Sequence, residues 1–377
     1  MKLQRKNRLR ATALGALAVS GALVLTACGS DDNTGADADG GKTTAAASDI
    51  KCDGAEGQLR ASGSSAQKNA MDLWVKNYMA ACSGVEINYS SSSSGEGIVA
   101  FNQGTVGFAG SDSALKPEEV TASKAICKTG QGINLPMVGG PIAVGFHVEG
   151  VDKLTLDAST LAKIFDNKIK KWNDPAIAEL NDGVKLPDTD IQAFHRSEDS
   201  GTTQNLGKYL NAAAPSDWKY EAEKKWPAPG GQAASGSSGV ASQVKAVNGS
   251  IGYFELSYAK SQDVTTVDIN TGGAAPVEAT SENASKAIAA AKVKGTGKDL
   301  ALDLDYTTKA EGAYPLVLVT YEVVCDTGNK ADTLGTVKSF LTYTASEDGQ
   351  KVLTDAGYAP IPEAINTKVR ETVAGLK

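Results

Sequence analysis

Residues 194–203 read Phe-His-Arg-Ser-Glu-Asp-Ser-Gly-Thr-Thr, between an apolar β-pattern and a helical pattern. Arg196 offers a planar fork of donors that fits a tetrahedral oxyanion. Ser200 and Thr202 are typical of a helix N-terminus, where free N–H groups and the helix dipole favour negative charge. Gly201 lets the backbone approach a ligand closely. The junction predicts an oxyanion site at the mouth of this helix; a capped helix beside a surface arginine is the alternative.

Two earlier stretches have the same order of strand, small polar residues and helix. Ser65 follows the first β-pattern and is predicted to stand at a helix N-terminus. Ser94 and Gly95 are predicted to lie in a loop of residues 90–97 that precedes a helix starting at Ile98. Because this loop holds five consecutive serines, a low-complexity linker is the alternative. The strand patterns on both sides of the loop argue against a linker.

Asp112 ends a β-pattern, at the carboxyl edge where open α/β sheets bind ligands. A cap for the helix predicted at Pro117 is the alternative role. A carboxylate can only accept hydrogen bonds, so Asp112 in an anion site requires a ligand that still carries a proton. Because it can only accept, Asp112 is the candidate residue for selecting among anions.

The N-terminal segment is predicted to be a targeting signal and not part of the fold. A basic start is followed by an apolar run at 11–25, which is short for a membrane span. Leu-Thr-Ala-Cys at 25–28 resembles the lipobox of bacterial lipoproteins, which implies a signal peptide at 1–27, lipid (palmitate) on Cys28 and a cell-membrane anchor facing outward. A plain secretory signal and a short transmembrane helix are the alternatives. Residues 28–49 are too poor in bulky apolar residues to order themselves and form a predicted tether.

The charge balance excludes nucleic acid as a partner. The chain has 37 basic and 44 acidic residues and a formal net charge of −7. Residues 1–27 hold five basic residues and no acidic one, so their removal leaves 32 against 44 and a net charge of −12. Attraction of an anion to such a chain must come from local donors and dipoles. With only two histidines, no metal site and no cofactor are expected.

Four cysteines besides Cys28 suggest two disulfide bonds in an exported chain, and they allow three connectivities. Cys52 precedes the first predicted strand and Cys82 follows the first predicted helix. This placement favours a bond between Cys52 and Cys82, and a second between Cys127 and Cys325.

Several markers occur in order along residues 57–370. They are Gly-Ser-Ser-Ala at 63–66, Ser-Gly at 94–95, Gly-Ser-Asp-Ser-Ala-Leu at 110–115, Lys-Ile-Lys-Lys-Trp-Asn-Asp at 168–174, Arg-Ser-Glu-Asp-Ser-Gly-Thr at 196–202 and Gly-Ser-Ile-Gly-Tyr at 249–253. Together they resemble the substrate-binding lipoproteins of Pst-type phosphate ABC transporters, in the periplasmic-binding-protein family. The resemblance implies a bilobal α/β fold, two α/β sandwich lobes joined by a two-crossing hinge.

The resemblance also implies a function and a set of phosphate contacts. The implied function is high-affinity binding of inorganic phosphate outside the cell and delivery to the permease subunits, by a monomer that is not an enzyme. The implied contacts are Ser65, Ala66, Ser94 and Asp112 from the first lobe, and Arg196, Ser200, Gly201 and Thr202 from the second, with Glu198 and Gly95 in support. Ser65 and Ala66 stand where the family often has Thr and Phe, so that loop departs most from the pattern.

Two apolar crossings, near 135–145 and 305–316, suggest the lobe boundaries. We expect the first lobe to comprise 50–138 plus 313–377, and the second to comprise 139–312. Two other functions stay open from the residues: a binding protein for sulfate or molybdate, and a phosphatase-like enzyme on the same fold. The chain has no Gly-x-Ser-x-Gly elbow, which argues against a serine hydrolase.

Overall fold

The computed structural model describes residues 50–377, so the predicted signal peptide, Cys28 and the predicted tether lie outside it. The strands are β1 (Gly57–Gly63), β2 (Val85–Ser91), β3 (Phe108–Ser111), β4 (Gly132–His147), β5 (Thr155–Asp157), β6 (Gln192–Arg196), β7 (Gln232–Ala234), β8 (Ser250–Glu255), β9 (Asp268–Asn270), β10 (Lys292–Val293), β11 (Leu302–Asp303) and β12 (Val317–Cys325). The helices are α1 (Lys68–Ala81), α2 (Ser94–Asn102), α3 (Pro117–Cys127), α4 (Ala158–Phe165), α5 (Pro175–Glu179), α6 (Gly201–Ala213), α7 (Gly236–Ala246), α8 (Leu256–Gln262), α9 (Ser281–Ala289), α10 (Ala331–Thr344), α11 (Glu347–Lys351) and α12 (Glu363–Ala374). Within 50–377 no helix is both long and apolar enough to cross a membrane.

Eight strands form one mixed sheet in the order β2-β1-β3-β12-β4-β8-β6-β7. Strand β1 pairs in parallel with β2 and β3, and β6 pairs in parallel with β7 and β8. The central strand β12 is antiparallel to both β3 and β4, and β4 is antiparallel to β8. The carboxyl ends of β1 and β3 therefore lie at one edge, as do those of β6 and β7. This places the loops that carry the candidate residues at strand ends.

Strand β4 joins the two halves of the sheet. Residues 132–141 pair with β12, and residues 142–147 pair with β8. Every residue of β4 except His147 is buried, which is the pattern of a strand covered on both faces. The Gly-Gly-Pro sequence at 139–141 lies inside the strand, where its pairing partner changes from β12 to β8. The boundaries of the two lobes themselves stay a prediction.

The structure corrects two helix starts. Helix α2 begins at Ser94, with Ser93 as its cap, and not at Ile98. Two of the serines taken as loop therefore lie in β2, one is the cap and one is the first residue of the helix. Helix α1 begins at Lys68 with Gln67 as its cap, so Ser65 lies in the turn before the helix and not at its N-terminus. The start of α2 is hard to predict from the sequence, because serine favours both loops and helix caps.

Two disulfide bonds tie the first half of the sheet. Cys52 is bonded to Cys82, and Cys127 is bonded to Cys325, which is the pairing that the sequence favours. The second bond links α3 to the end of β12 across 198 residues of sequence. It restrains the strand that forms one wall of the candidate site.

Candidate functional site

Asp112 lies immediately after β3 and is only 2% exposed. Its Oδ1 accepts hydrogen bonds from Ser64 Oγ at 2.5 Å and Thr320 Oγ1 at 2.8 Å. Its Oδ2 accepts from Thr202 Oγ1 at 3.1 Å and Ser94 Oγ at 3.4 Å. Burial of a carboxylate is costly unless its lone pairs are satisfied, and four hydroxyls satisfy them here.

The alternative role of Asp112 as a helix cap is wrong. Helix α3 begins at Pro117, and its cap is Lys116. The backbone N–H of Asp112 donates to Ser94 Oγ at 3.2 Å, so the residue is fixed from both sides by the start of α2. The carboxylate is thus the hub of a buried hydrogen-bond network, in which it accepts four bonds, and it does not cap a helix.

Arg196, at the end of β6, is also 2% exposed and is not a surface arginine. Its Nε donates to Glu198 Oε1 at 2.6 Å, and its Nη2 forms an ion pair with the same oxygen. Its Nη1 donates to Thr202 Oγ1 and to Ser237 Oγ, both at 3.4 Å. One edge of the guanidinium is therefore held by Glu198, while Nη1 faces Ser237 and the Thr202 hydroxyl that donates to Asp112.

Glu198 orients Arg196 and stays ionised beside it. Burial acts to raise the pKa of Glu198, but the charge and hydrogen bonds of Arg196 lower it below its ordinary value. Glu198 Oε1 also accepts the backbone N–H of Gly236, at the start of α7, at 3.0 Å. The ion pair thus connects the helix mouths of α6 and α7.

Ser65 reaches the same group of side chains through Ser237. Ser65 Oγ accepts the backbone N–H of Ser237 at 3.1 Å, and the two hydroxyl oxygens lie 3.5 Å apart. The backbone N–H of Ala66 is hydrogen-bonded to Ser64 Oγ at 3.0 Å. The predicted contact loop is therefore in place, but the Ala66 N–H points to a neighbouring hydroxyl.

Three tyrosines hold the backbone of this loop. The hydroxyls of Tyr89, Tyr258 and Tyr358 donate to the carbonyl oxygens of residues 64, 65 and 66 at 2.8, 2.6 and 2.7 Å. Buried carbonyl groups need such partners. Because three successive carbonyls are fixed, the loop presents its hydroxyls and N–H groups in one orientation.

The mouth of α6 packs directly on Asp112. Ser200 caps the helix by accepting Thr203 N–H at 3.3 Å. A Cβ atom added to Gly201 would lie 2.7 Å from Asp112 Cβ and 2.8 Å from Ser94 Oγ, closer than real Cβ contacts. Gly95 N–H donates to the carbonyl oxygen of Asp199 at 3.0 Å. Both predicted glycines therefore lie where an added side chain would collide with a neighbouring segment.

The structure brings the predicted residues into one connected group. Hydrogen bonds link Ser94, Asp112, Thr202 and Arg196 directly, and Ser65 joins through Ser237. The role of these residues as ligand contacts stays a prediction.

Four further residues belong to the group: Ser64, Ser237, Asn205 and Thr320. Ser64 and Ser237 lie in strand-to-helix junctions like those that the sequence singled out. Asn205 Nδ2 donates to the carbonyl oxygen of Asp112 at 2.7 Å, one helical turn after Gly201. Thr320 carries no sequence signal, because it lies within a β-branched run.

Two buried glutamates flank the hub. Burial raises the pKa of Glu322 to about 8, against an opposing interaction with the nearby Gln67 amide, and the charge of Asp112 adds to the rise. The Gln67 amide is not within hydrogen-bond geometry, so neither carboxyl oxygen has a hydrogen-bond partner among residues 50–377. Burial also raises the pKa of Glu255 to about 8, against opposing hydrogen bonds from Ser257. Both carboxyls therefore keep their protons near neutral pH and add little negative charge to the site. No cluster of metal-ligating side chains occurs in the described part of the chain.

Comparison with known proteins gives a family match over most of the chain. The PBP superfamily domain matches residues 43–348. The phosphate-binding protein PstS3 of Mycobacterium bovis (strain BCG / Pasteur 1173P2) is 42% identical over 378 residues, covering 99% of both chains. The phosphate-binding protein PstS2 of the same strain is 38% identical over 368 residues, covering 97% of this chain and 98% of the relative.

Solved structures show the same fold. A high-affinity periplasmic phosphate-binding protein (PfluDING) bound with phosphate superimposes with a TM-score of 0.70 at 22% identity, covering 84% of this chain and 93% of that one. A phosphate-binding protein from Stenotrophomonas maltophilia gives a TM-score of 0.68 at 20% identity, with 85% and 96% covered. These likenesses establish a PBP-like α/β fold for the chain.

We predict that Glu322 makes stability fall as pH rises. Its ordinary pKa of 4.5 is raised to about 8 in the folded state, so between these values the folded protein holds a proton that the unfolded chain releases. The stability of the parent should therefore fall relative to that of Glu322→Gln. The free energy of unfolding of the variant minus that of the parent should rise by on the order of 4 kcal/mol from pH 4.5 to pH 8. Urea unfolding at a series of pH values measures this difference.

The matched control is Glu149→Gln, which changes an exposed glutamate in a turn. Its difference from the parent should not follow pH. If the difference between Glu322→Gln and the parent stays constant with pH, the pKa of the Glu322 carboxyl is not raised in the folded protein.

Proposed function

The chain belongs to the PstS family of phosphate-binding proteins in the PBP superfamily, and we propose that it binds inorganic phosphate outside the cell and delivers it to the permease of a phosphate ABC importer. The family consists of substrate-binding proteins of transport, and it is not a family of enzymes. The observation that carries the proposal is the buried Asp112 carboxylate within a group of hydroxyl donors.

The chemistry of Asp112 supports phosphate over other oxyanions. Phosphate near neutral pH still carries at least one proton, which it can donate to a carboxylate, whereas sulfate carries none. A sulfate ion at this position would face an acceptor without a hydrogen between them, and the low-dielectric interior makes that repulsion large. The same residue thus attracts one anion and rejects the other.

The donors for the remaining phosphate oxygens are proposed to be Arg196 Nη1 and the surrounding hydroxyls. Ser94 and Thr202 now donate to Asp112, and a hydroxyl can rotate about its C–O bond to donate elsewhere. Ser65 and the first turn of α6, residues 200–202, complete the proposed set, with the dipole of α6 favouring negative charge. Ala66 is proposed to contribute through its backbone N–H once that group leaves Ser64.

We further propose that the ligand is enclosed by two lobes, 50–138 plus 313–377 and 139–312. The change of partner within β4 and the position of β12 beside it support a double crossing between them. The contact of Gly201 with Asp112 would then be a contact between lobes, formed on closure. Hinge motions of this kind absorb their change at a few residues where elements meet.

We also propose that the protein is held at the outer face of the cell membrane by lipid on Cys28. The lipobox-like sequence at 25–28 supports this, and the tether at 28–49 would separate the folded part from the membrane. A monomer is the proposed oligomeric state.

Replacement of Asp112 by Asn tests the basis of selectivity. The change keeps the shape of the side chain but adds a donor and removes the charge. Phosphate binding should weaken by about 1.5–3 kcal/mol, because one charge-assisted hydrogen bond is changed. Sulfate should lose less or gain, so the ratio of the two affinities narrows in calorimetric titrations with both anions.

Arg196→Ala is the matched comparison. It removes positive charge without removing the acceptor, so phosphate and sulfate should weaken together and the ratio should stay near that of the parent. An unchanged ratio in Asp112→Asn would show that this carboxylate does not discriminate between anions.

Gly201→Ala tests the close approach of α6 to Asp112. The added methyl group overlaps Asp112 Cβ, so phosphate affinity should fall by about 1–3 kcal/mol. The unliganded variant should fold normally, because alanine favours a helix more than glycine does. The control is Gly239→Ala in α7, where the nearest atom would lie 3.8 Å away. Equal affinities for both variants in fluorescence or calorimetric titration would refute the closure contact.

Cys28→Ala tests the anchor. The parent protein should be labelled by radioactive palmitate in cells and sediment with membranes, and the variant should show neither property. The folded parts are identical, so both should bind phosphate with the same affinity. A variant that is still labelled by palmitate would contradict lipidation at Cys28.

A further inference from the structure

A cavity lies behind the Asp112 segment. It has a volume of about 90 Å³, enough for a small ion with its water. Its walls come from residues 112–114, from α6, from β12 and from the β10–β11 hairpin. Two lysines line it, Lys208 on α6 and Lys294 just after β10.

The position of Lys208 follows from the helix that forms the mouth of the proposed phosphate site. Gly201, Asn205 and Lys208 are spaced by four and three residues, so they lie on one face of α6. Gly201 meets Asp112, and Asn205 donates to the Asp112 carbonyl oxygen, as described above. Lys208 is therefore the next group along the face that looks toward the Asp112 segment.

The hairpin that carries Lys294 is fixed to the same segment. Leu302 N–H donates to Tyr321 OH at 3.1 Å. Asp299 Oδ1 accepts from Asn134, through the backbone N–H at 2.8 Å and Nδ2 at 2.7 Å, and Asn134 Oδ1 accepts the N–H of Leu115 at 2.9 Å. The walls of the cavity are thus held together by named hydrogen bonds and do not depend on a free loop.

The two ammonium groups lack protein partners. Within residues 50–377, neither Lys208 Nζ nor Lys294 Nζ forms a hydrogen bond or an ion pair. Lys208 is half-buried, and burial, with the like charges of Lys294 and Lys224, lowers its pKa to about 8. The charged and titratable groups around it are Lys294, Lys224, Asp303, Asp112, Tyr306 and Tyr321. A half-buried cation without a counter-ion is a costly arrangement that an anion would relieve.

We propose that Lys208 and Lys294 form a second, weaker binding site for a small dianionic oxyanion, directly behind the Asp112 site. Asn205 supports its wall, because its amide is fixed by Gly201, Asp112 and the hydroxyl of Tyr306. The four hydroxyls on Asp112 occupy its carboxylate oxygens, and Asp303, the other carboxylate of the cavity lining, is exposed. Lysine donors serve phosphate and sulfate alike, so this site should discriminate poorly between them.

Phosphate as the natural occupant rests on the proposed function, whereas the anion site itself does not. A site of this kind would gather the anion beside a selective site in a chain whose net charge is −7. Local positive groups raise the concentration of an anion near a binding cleft even when the whole protein is acidic.

The test is calorimetric titration of the full chain with inorganic phosphate and, separately, with sulfate. The parent should show a tight event with phosphate only, and a weak event with a Kd of about 1 mM for both anions. Lys208→Met and Lys294→Gln should each weaken the second event by about tenfold for both anions, and leave the tight one within about twofold. Lys208→Met retains the apolar length of the side chain, so folding should not suffer.

The matched control is Lys292→Gln, on the same hairpin and exposed but outside the cavity lining. It should leave both events unchanged. A weak event that persists in Lys208→Met, or a parent with no weak event for either anion, would overturn the second site. A weak event without a tight one would leave the second site standing and overturn the proposed function.

A proton-linkage measurement gives an independent readout. An anion next to Lys208 should raise the pKa of that ammonium, so binding near pH 8 should take up a fraction of a proton. Titrations of the phosphate-loaded protein with sulfate, in two buffers of different ionisation enthalpy, measure this uptake. It should vanish in Lys208→Met, and an equal uptake in that variant would also overturn the assignment.

Discussion

The burial of one carboxylate organises the interior of this protein. Asp112 cannot remain charged away from water unless its lone pairs are filled, and Ser64, Ser94, Thr202 and Thr320 fill them. These hydroxyls come from the end of β1, the start of α2, the start of α6 and the middle of β12. Four elements that are far apart in sequence must therefore meet at one point. If any one of these elements is displaced, the buried Asp112 carboxylate loses one of its hydrogen-bond donors.

The proposed site has no surplus of positive charge with which to bind an anion. Arg196 is paired with Glu198, and the chain as a whole is acidic. Two other carboxyls nearby, Glu255 and Glu322, have pKa values raised to about 8 by burial and so stay largely protonated. In the proposed site the attraction therefore rests on oriented hydroxyls, N–H groups and a helix dipole, whose effect is strong in a dry interior. Such donors can be specific for shape and protonation in a way that a general positive field cannot.

Rigid backbone supports this arrangement. Three tyrosine hydroxyls hold the carbonyls of the loop at 64–66, and close backbone contacts at Gly95 and Gly201 leave no room for a side chain. Donors that are already oriented lose little conformational entropy when a ligand binds. The same rigidity makes the position of α6 relative to Asp112 sensitive to single methyl groups.

Local sequence pattern is enough to predict five features: the junction at Arg196, the Ser200 cap, the α/β fold class, the family and the favoured cysteine pairing. The same local pattern gives the wrong starts for α1 and α2, because serine suits loops and helix caps equally. Only the packing of distant segments shows that Thr320 meets Asp112, that Ser237 joins Ser65 to Arg196, and that the buried Glu322 carboxyl has no hydrogen-bond partner among residues 50–377. Thr320 stands opposite Asp112 because β12 pairs with β3 in a register that sets Tyr321 against Ser111. Such a register is chosen by the packing of the whole sheet, since a shift of one residue would turn every side chain of the strand to the other face.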